Sequence, residues 1–390
     1  MKIYNSLTQN LDEFTSINPK KVTIYVCGIT PYDTTHLGHA FTYISFDALI
    51  RYLKFQGFKV TYTQNVTDIN DRDKDTLQRA KEQNIPWQNL AKYWTDKFLS
   101  DMKALDWIKP TNYLFASREI PSMIKLIQQI IDNNLAYIVN GSVYLDILKI
   151  KDFDKLSKLS KEEMLQKAKD FEEDLENPDK KTPLDITLWK ASGANQPTHI
   201  PSFDSPFGKG RPGWHIECSA MSISTLGEQI DIHGGGKDLI FPHHEAEIAQ
   251  SEGATNKIPF AKYWIHTGTV YYQGEKMSKS KGNLIMVSEL FKKYSPNAIR
   301  WLILSNNWRK DWEYKEEDLI KAQKIVNLIE YLSFHLRGGG TKKDTLEQFT
   351  QIMNKDLDTP KALDLLIFLI DKKQLSAAKK IYLTLGFKNY

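Results

Sequence analysis

The sequence predicts an α/β fold built on a doubly wound parallel sheet, with an inserted α+β connective segment and a C-terminal helical bundle. Three observations predict it. Val22-Thr23-Ile24-Tyr25-Val26 is a β-branched and aromatic run that passes through a glycine-containing turn into a helical pattern from Phe41 to Leu53. Ile230-Asp231-Ile232-His233 repeats the arrangement, ending in Gly234-Gly235-Gly236-Lys237-Asp238 ahead of a helix opened by Pro242. Between them Lys59 to Asp68 reads as a further strand of the same sheet. Its polar end, Asn65, Thr67 and Asp68, falls beside the first turn, where parallel α/β sheets bind ligands.

The remaining elements follow in order. Asp71 to Phe98 is helical and highly charged, Pro110-Thr111-Asn112-Tyr113 breaks the pattern, and Ile120 to Asn133 resumes a helix. Gly141 to Asp146 is a strand, and Lys149 to Lys181, dense in Lys, Asp and Glu, is an exposed helix or a loosely held insert. Pro206 to Gly213 is a Gly/Pro loop that leads into a helix start at Trp214. Lys262 to His266 and Val270 to Tyr272 are strands, and from Val287 onward the chain is helical, with Gly338-Gly339-Gly340 as a linker before an apolar block at Thr359 to Leu385. The expected organisation is a first sheet half at 1–106, an insertion at 107–210, a second half at 211–305 and a shortened helical domain at 306–390.

A chain of 390 residues, 41% hydrophobic, can bury a core of two or three domains. Met1 to Thr15 lacks a basic and apolar leader pattern, and no apolar run reaches the length of a membrane span, so a cytoplasmic protein without a membrane partner is expected. The formal charge of +4 resides in residues 331–390, which hold ten Lys/Arg against six Asp/Glu. Such a tail is a solvated helical face or a contact for phosphates. The two cysteines, Cys27 and Cys218, are inert buried thiols or metal ligands rather than a disulfide in a reducing compartment.

Three stretches carry chemistry. The turn from Cys27 to Ala40 joins a strand to a helix N-terminus through Gly28 and Gly38, with His36 and His39 in it, and unpaired N–H groups at such a junction attract a nucleotide phosphate. Satisfied core histidines are the plainer reading of the same residues. His243 and Glu247 share one helix face, and with Cys27 and Cys218 they make a donor set suited to tetrahedral Zn²⁺, although His215, His233, His244 and His266 are also available. Glu275-Lys276-Met277-Ser278-Lys279-Ser280-Lys281-Gly282-Asn283 is a basic loop with hydroxyls, suited to polyphosphate or simply to solvent.

Taken together, His36-Leu37-Gly38-His39 and Lys276-Met277-Ser278-Lys279-Ser280 resemble the two signatures of class I aminoacyl-tRNA synthetases. Trp214-His215-Ile216-Glu217-Cys218-Ser219-Ala220-Met221, Asp231 to Gly236 and Phe241-Pro242-His243-His244-Glu245 resemble the cysteinyl branch, over about residues 20 to 330 with a weaker echo at Asp356 to Leu363. A related ligase, which joins cysteine to glucosaminyl-inositol in mycothiol synthesis, shares the core. Gly28-Ile29-Thr30-Pro31-Tyr32-Asp33, Phe41 in place of the usual Arg, and the short C-terminal part are nearer to that ligase. Glu247, Ala246 to Glu252 and the charged insert are nearer to the synthetase, and the metal-bearing helix weighs more. A catalytically silent, tRNA- or nucleotide-binding paralogue is the third reading.

The resemblance implies a Rossmann-type catalytic domain that activates L-cysteine with ATP and passes it to tRNA(Cys). It implies one Zn²⁺ per chain on Cys27, Cys218, His243 and Glu247, and Mg²⁺ with the ATP. His36, His39, Lys276 and Lys279 would be catalytic. Gly38, Gly236, Lys237 and Asp238 would join them around ATP. Gly28, Thr42, Asn65, Thr67 and Trp214 would hold cysteine. A monomer is expected.

Overall fold

The computed structural model describes residues 1–32, 35–69, 76–193, 196–277, 281–335 and 343–388. Ser278, Lys279 and Ser280 of the basic loop and the Gly338-Gly339-Gly340 linker lie outside the described residues.

Five strands form the central sheet: β1 (Lys21–Ile29), β2 (Lys59–Val66), β3 (Asn112–Phe115), β4 (Ile230–Gly236) and β5 (Ala261–Thr267). They pair in the order β5-β4-β1-β2-β3, all parallel. This is a doubly wound order whose halves meet between β1 and β4. The β-branched and aromatic content of β1 suits its central place, because a parallel strand is covered on both faces. Its side chains alternate accordingly. Val22, Ile24 and Val26 enter one apolar cluster, with helix α1 (Leu37–Phe55) and the C-terminal helices, while Tyr25 and Cys27 enter another on the opposite face.

That second cluster contains the helix Ile120–Asp132, helix α2 (Trp214–Leu226) and helix α3 (Glu245–Thr255), which pack against one another. The segment 107–210, expected as an insertion, includes parts of this frame as well as a separate sheet. Asn112–Phe115 is the edge strand of the central sheet, and the helix after it lies on that sheet's face. The separate element is an antiparallel sheet of Ala136–Val139, Ser142–Leu145, Ile186–Ala191 and Gly210–Pro212. The charged stretch within it carries the helix Lys161–Asp170, opened by a reciprocal cap between Ser160 and Glu163.

The C-terminal helices Glu316–His335, Thr359–Asp371 and Leu375–Thr384 share one core with α1 and helix α4 (Pro296–Leu304). A buried ion cluster ties them together. Arg300 reaches Asp47 of α1, and donates to the carbonyls of Leu105 at 2.8 Å and Leu385 at 2.7 Å. Asp47 also accepts from Arg51 at 2.8 Å and from the Ile108 amide at 2.7 Å. The N-terminal hairpin Lys2–Asn5 and Asn10–Glu13 completes the fold, its Tyr4 amide donating to Asp356 at 2.8 Å. Among the described residues, no helix is long and apolar enough to cross a membrane.

Candidate active site

At the carboxyl ends of β1 and β4, where the sheet halves meet, a cleft of about 340 Å³ opens. Cys27, Gly28, His36, Gly38, His39, Thr42, Asn65, Thr67, Trp214, Cys218, Gly236, Asp238, His243 and Lys276 all line it. Fourteen residues named from the sequence thus converge on one surface from six segments. Glu247 lies just behind that surface, fully buried. Lys237 does not line the cleft; its ammonium is paired with Asp311. Lys279 lies outside the described residues.

One side of the cleft is built from the start of α1. His36 is the N-cap in extended backbone, and its Nδ1 accepts from the His39 amide at 3.3 Å. The two imidazoles stack with centroids 3.7 Å apart, and no acidic residue occupies the first turn. The positive end of the helix is therefore left for an anion. Across the cleft, Lys276 Nζ sits 3.2 Å from Asp238 Oδ2, holding the lysine at the rim.

Another side of the cleft rests on an irregularity in β1. The β1–β2 register shifts between Val26 and Ile29, so the Gly28 amide donates to the Asn65 side chain at 2.7 Å. Asn65 in turn donates to Thr67 at 3.1 Å. A Cβ on Gly28 would lie 1.6 Å from the Asn65 carbonyl oxygen, so only glycine lets the strands approach here. Thr42 exchanges a hydrogen bond with Thr267 at 2.9 Å, and Tyr43 donates to the Cys27 carbonyl at 3.3 Å. Trp214 lies on the His243 ring, with centroids 4.5 Å apart. Phe171, from the insertion, covers the outer face of Trp214 at 6.4 Å. Sequence reasoning missed Phe171, Tyr43 and Thr267. Thr267, at the carboxyl end of β5, carries the one signal that could have found it.

Behind the cleft is a buried cluster of metal-binding donors. Cys27, Cys218, His243 and Glu247 bring their ligand atoms within 4.8 Å of one another, and Cys27, His233, His244 and Glu247 do the same. Glu247 is the hub. Its Oε1 lies 3.4 Å from the Cys27 sulfur and 3.2 Å from His243 Nε2, while Oε2 meets His233 Nε2 at 2.8 Å. His244 continues the network to His266 at 2.7 Å, and His266 to Ser6 at 2.8 Å.

Electrostatics favour a cation here. Burial first, then Cys218 and Glu247, pushes the Cys27 thiol well above its ordinary range. Burial and neighbouring imidazoles push His244 well below its own. The Tyr25 hydroxyl and His233 Nδ1 are buried beside the cluster without a hydrogen-bond partner among the described residues. Two thiols, a carboxylate and imidazoles gathered in buried positions, with donors left over, fit a thiophilic divalent ion that keeps them in their binding protonation states.

The family model for the tRNA synthetases class I (C) catalytic domain matches residues 13–324. The chain is 44% identical over 369 residues to a cysteine–tRNA ligase of Dehalococcoides mccartyi, covering 93% of this chain and 78% of that protein. This chain belongs to the cysteine–tRNA ligase family of class I synthetases. It is 42% identical to a family member from Legionella pneumophila, covering 94% and 79% of the two chains. A third member, from Aquifex aeolicus, is 41% identical over 93% of this chain and 74% of its own. Like its family, it is an ATP-dependent ligase that makes aminoacyl-tRNA. Among solved structures, Mycobacterium tuberculosis methionyl-tRNA synthetase in complex with methionyl-adenylate matches with a TM-score of 0.57 at 15% identity. That match covers 94% of this chain and 82% of the other, and it places the sheet and C-terminal helices of this synthetase in the class I fold.

Proposed function

We propose that this cleft activates L-cysteine with ATP to cysteinyl-AMP and pyrophosphate, and then transfers the cysteine to the 3′ end of tRNA(Cys). One observation carries the reading: a thiol, imidazole and carboxylate cluster opens into the same cleft as the stacked histidines and the rim lysine. Of the two possible donor sets, Cys27, Cys218, His243 and Glu247 is the better holder of the ion, because Cys218 and His243 line the cleft and His233 and His244 do not. A Zn²⁺ bound there supplies a sulfur bond that selects cysteine over serine, so no editing site is needed.

The chain's own residues account for the rest. Thr42, Asn65, Thr67 and Trp214 orient the amino acid so that its carboxylate faces the α-phosphate. His36 and His39 donate to phosphate oxygens as charge develops on them, and Gly38, Gly236 and Asp238 line the nucleotide's berth. Lys276 and Lys279 neutralise the β and γ phosphates, which travel with Mg²⁺. Lys237, paired with Asp311, would have to leave that partner to reach ATP. The similarity to cysteine–tRNA ligases supports tRNA over an amino sugar-inositol as acceptor, and the basic excess of residues 331–390 suits an RNA partner. The chain is expected to act as a monomer.

The test is cysteine-dependent pyrophosphate exchange followed by charging of purified tRNA or of glucosaminyl-inositol. Exchange with tRNA charging is the expected result. Exchange with sugar charging would overturn the acceptor, and no exchange would overturn the enzyme. Cys218→Ser should lose bound zinc and exchange together; a variant with full zinc would remove the metal assignment.

A further inference from the structure

A histidine that gives one ring nitrogen to a metal must have its other nitrogen fixed, since the two share a single proton when the ring is neutral. His243 points Nε2 at Glu247 Oε1, 3.2 Å away, and places Nδ1 2.9 Å from Nδ1 of His215. Two Nδ1 atoms at that distance must be one donor and one acceptor. If His243 offers Nε2 to the cluster, its proton is on Nδ1 and is donated to His215. His215 then accepts at Nδ1 and carries its own proton on Nε2.

That nitrogen faces Glu173 Oε1 at 3.4 Å. An ionised carboxylate can only accept, so with both rings neutral the row Glu173, His215, His243 runs in one direction alone. Without the carboxylate, His215 is free to take the other tautomer and present an N–H to His243. His243 would then hold its proton on Nε2, where a metal must displace it.

Glu173 belongs to the insertion, just after the helix Lys161–Asp170, and two residues from the Phe171 ring that covers Trp214. His215 is buried in α2, whereas the Glu173 side chain stays 21% exposed and reaches the row from outside. We propose that Glu173 is a positioning residue for the metal site, fixing through His215 the ring nitrogen that His243 turns toward Cys27, Cys218 and Glu247. The insertion thereby helps to hold the metal although it contributes no ligand. This rests on the metal reading above.

The experiment uses the full chain as wild type, Glu173→Ala and Glu173→Gln, each loaded with Zn²⁺ or Co²⁺. Metal release to a chromophoric chelator, the cobalt absorption spectrum and the KM values for cysteine and ATP are recorded. Glu173→Ala should release metal on the order of tenfold faster, shift the cobalt bands and raise the cysteine KM while the ATP KM holds. Glu173→Gln, whose amide oxygen accepts the same proton, should stay within about threefold of wild type. Melting curves of the metal-free proteins identify any loss of folding. Unchanged release and spectrum in Glu173→Ala would overturn the proposal, as would equal losses in the Ala and Gln variants. A wild type that holds no metal would instead overturn the reading on which it rests.

Discussion

His266 makes a quantitative case because its environment admits only the neutral ring. It is buried, its Nε2 meets His244 Nδ1 at 2.7 Å, and its Nδ1 meets the Ser6 hydroxyl at 2.8 Å. Burial first, and then His233, lowers its pKa from 6.5 to about 3. The unfolded chain therefore takes up a proton near pH 6.5 that the folded chain refuses until near pH 3. Stability from this group is complete above pH 6.5 and is lost as pH falls through that window. At about 1.4 kcal/mol per pKa unit, linkage gives a loss of about 2 kcal/mol between pH 7 and pH 5, and about 5 kcal/mol in total. His244, lowered by burial and its neighbours, adds loss in the same direction. Urea unfolding of metal-free protein at pH 7 and pH 5 measures it. Wild type should lose at least about 2 kcal/mol, and His266→Gln, which can bond to both partners without titrating, about 2 kcal/mol less. Equal pH dependence in the two proteins would refute the reasoning.

Two further perturbations probe the frame and the site. Asp47→Ala leaves Arg300 buried against carbonyls without its counter-charge, so chemical denaturation should report a loss of about 3–5 kcal/mol. A loss under about 1 kcal/mol would mean the cluster is not what joins α1 to the C-terminal helices. Gly28→Ala sets a methyl 1.6 Å from the Asn65 carbonyl, so β1 and β2 must separate at the cleft. Cysteine-dependent exchange should fall at least a hundredfold, about 2.7 kcal/mol of barrier, with a lower melting temperature; wild-type kinetics would show that the close approach is unimportant.

The central sheet was legible because its covered strands leave a simple mark. Val22 to Val26 is a β-branched and aromatic run and Ile230 to His233 alternates isoleucine with polar residues; each leads into a glycine turn, and both are strands meeting at the cleft. The edge strand Asn112–Phe115 left no such mark: it is short and its side chains are only half-buried, so it read as a break. The N-terminal hairpin is polar and was equally silent. The buried donor cluster could be suspected from His243 and Glu247 alone, but Cys27 and Cys218 come from segments far apart in sequence, and only the family motifs joined them before the fold did. Phe171 and Glu173 were hidden for a different reason. They sit in a run of Lys, Asp and Glu whose composition predicts solvent, and no periodicity distinguishes the two residues that turn inward.

The turn after β1 serves both halves of the cleft because of where the strand irregularity falls. Cys27 and Gly28 occupy the register shift, so the thiol faces the cluster on one side of the sheet while the glycine amide leaves the ladder for Asn65. A few residues on, His36 caps α1 and turns its helix dipole to the same cleft. Tyr43, two turns into α1, donates back to the Cys27 carbonyl and fixes the helix against the strand. The cluster that would read the amino-acid side chain and the helix end that would read phosphate thus lie on β1 and α1, which the Tyr43 hydrogen bond ties together. In the proposed activation step, holding the two reactants side by side in this way would lower the cost of their encounter. The outer wall, in contrast, comes from the insertion, which contributes Phe171 over Trp214 and Glu173 against His215.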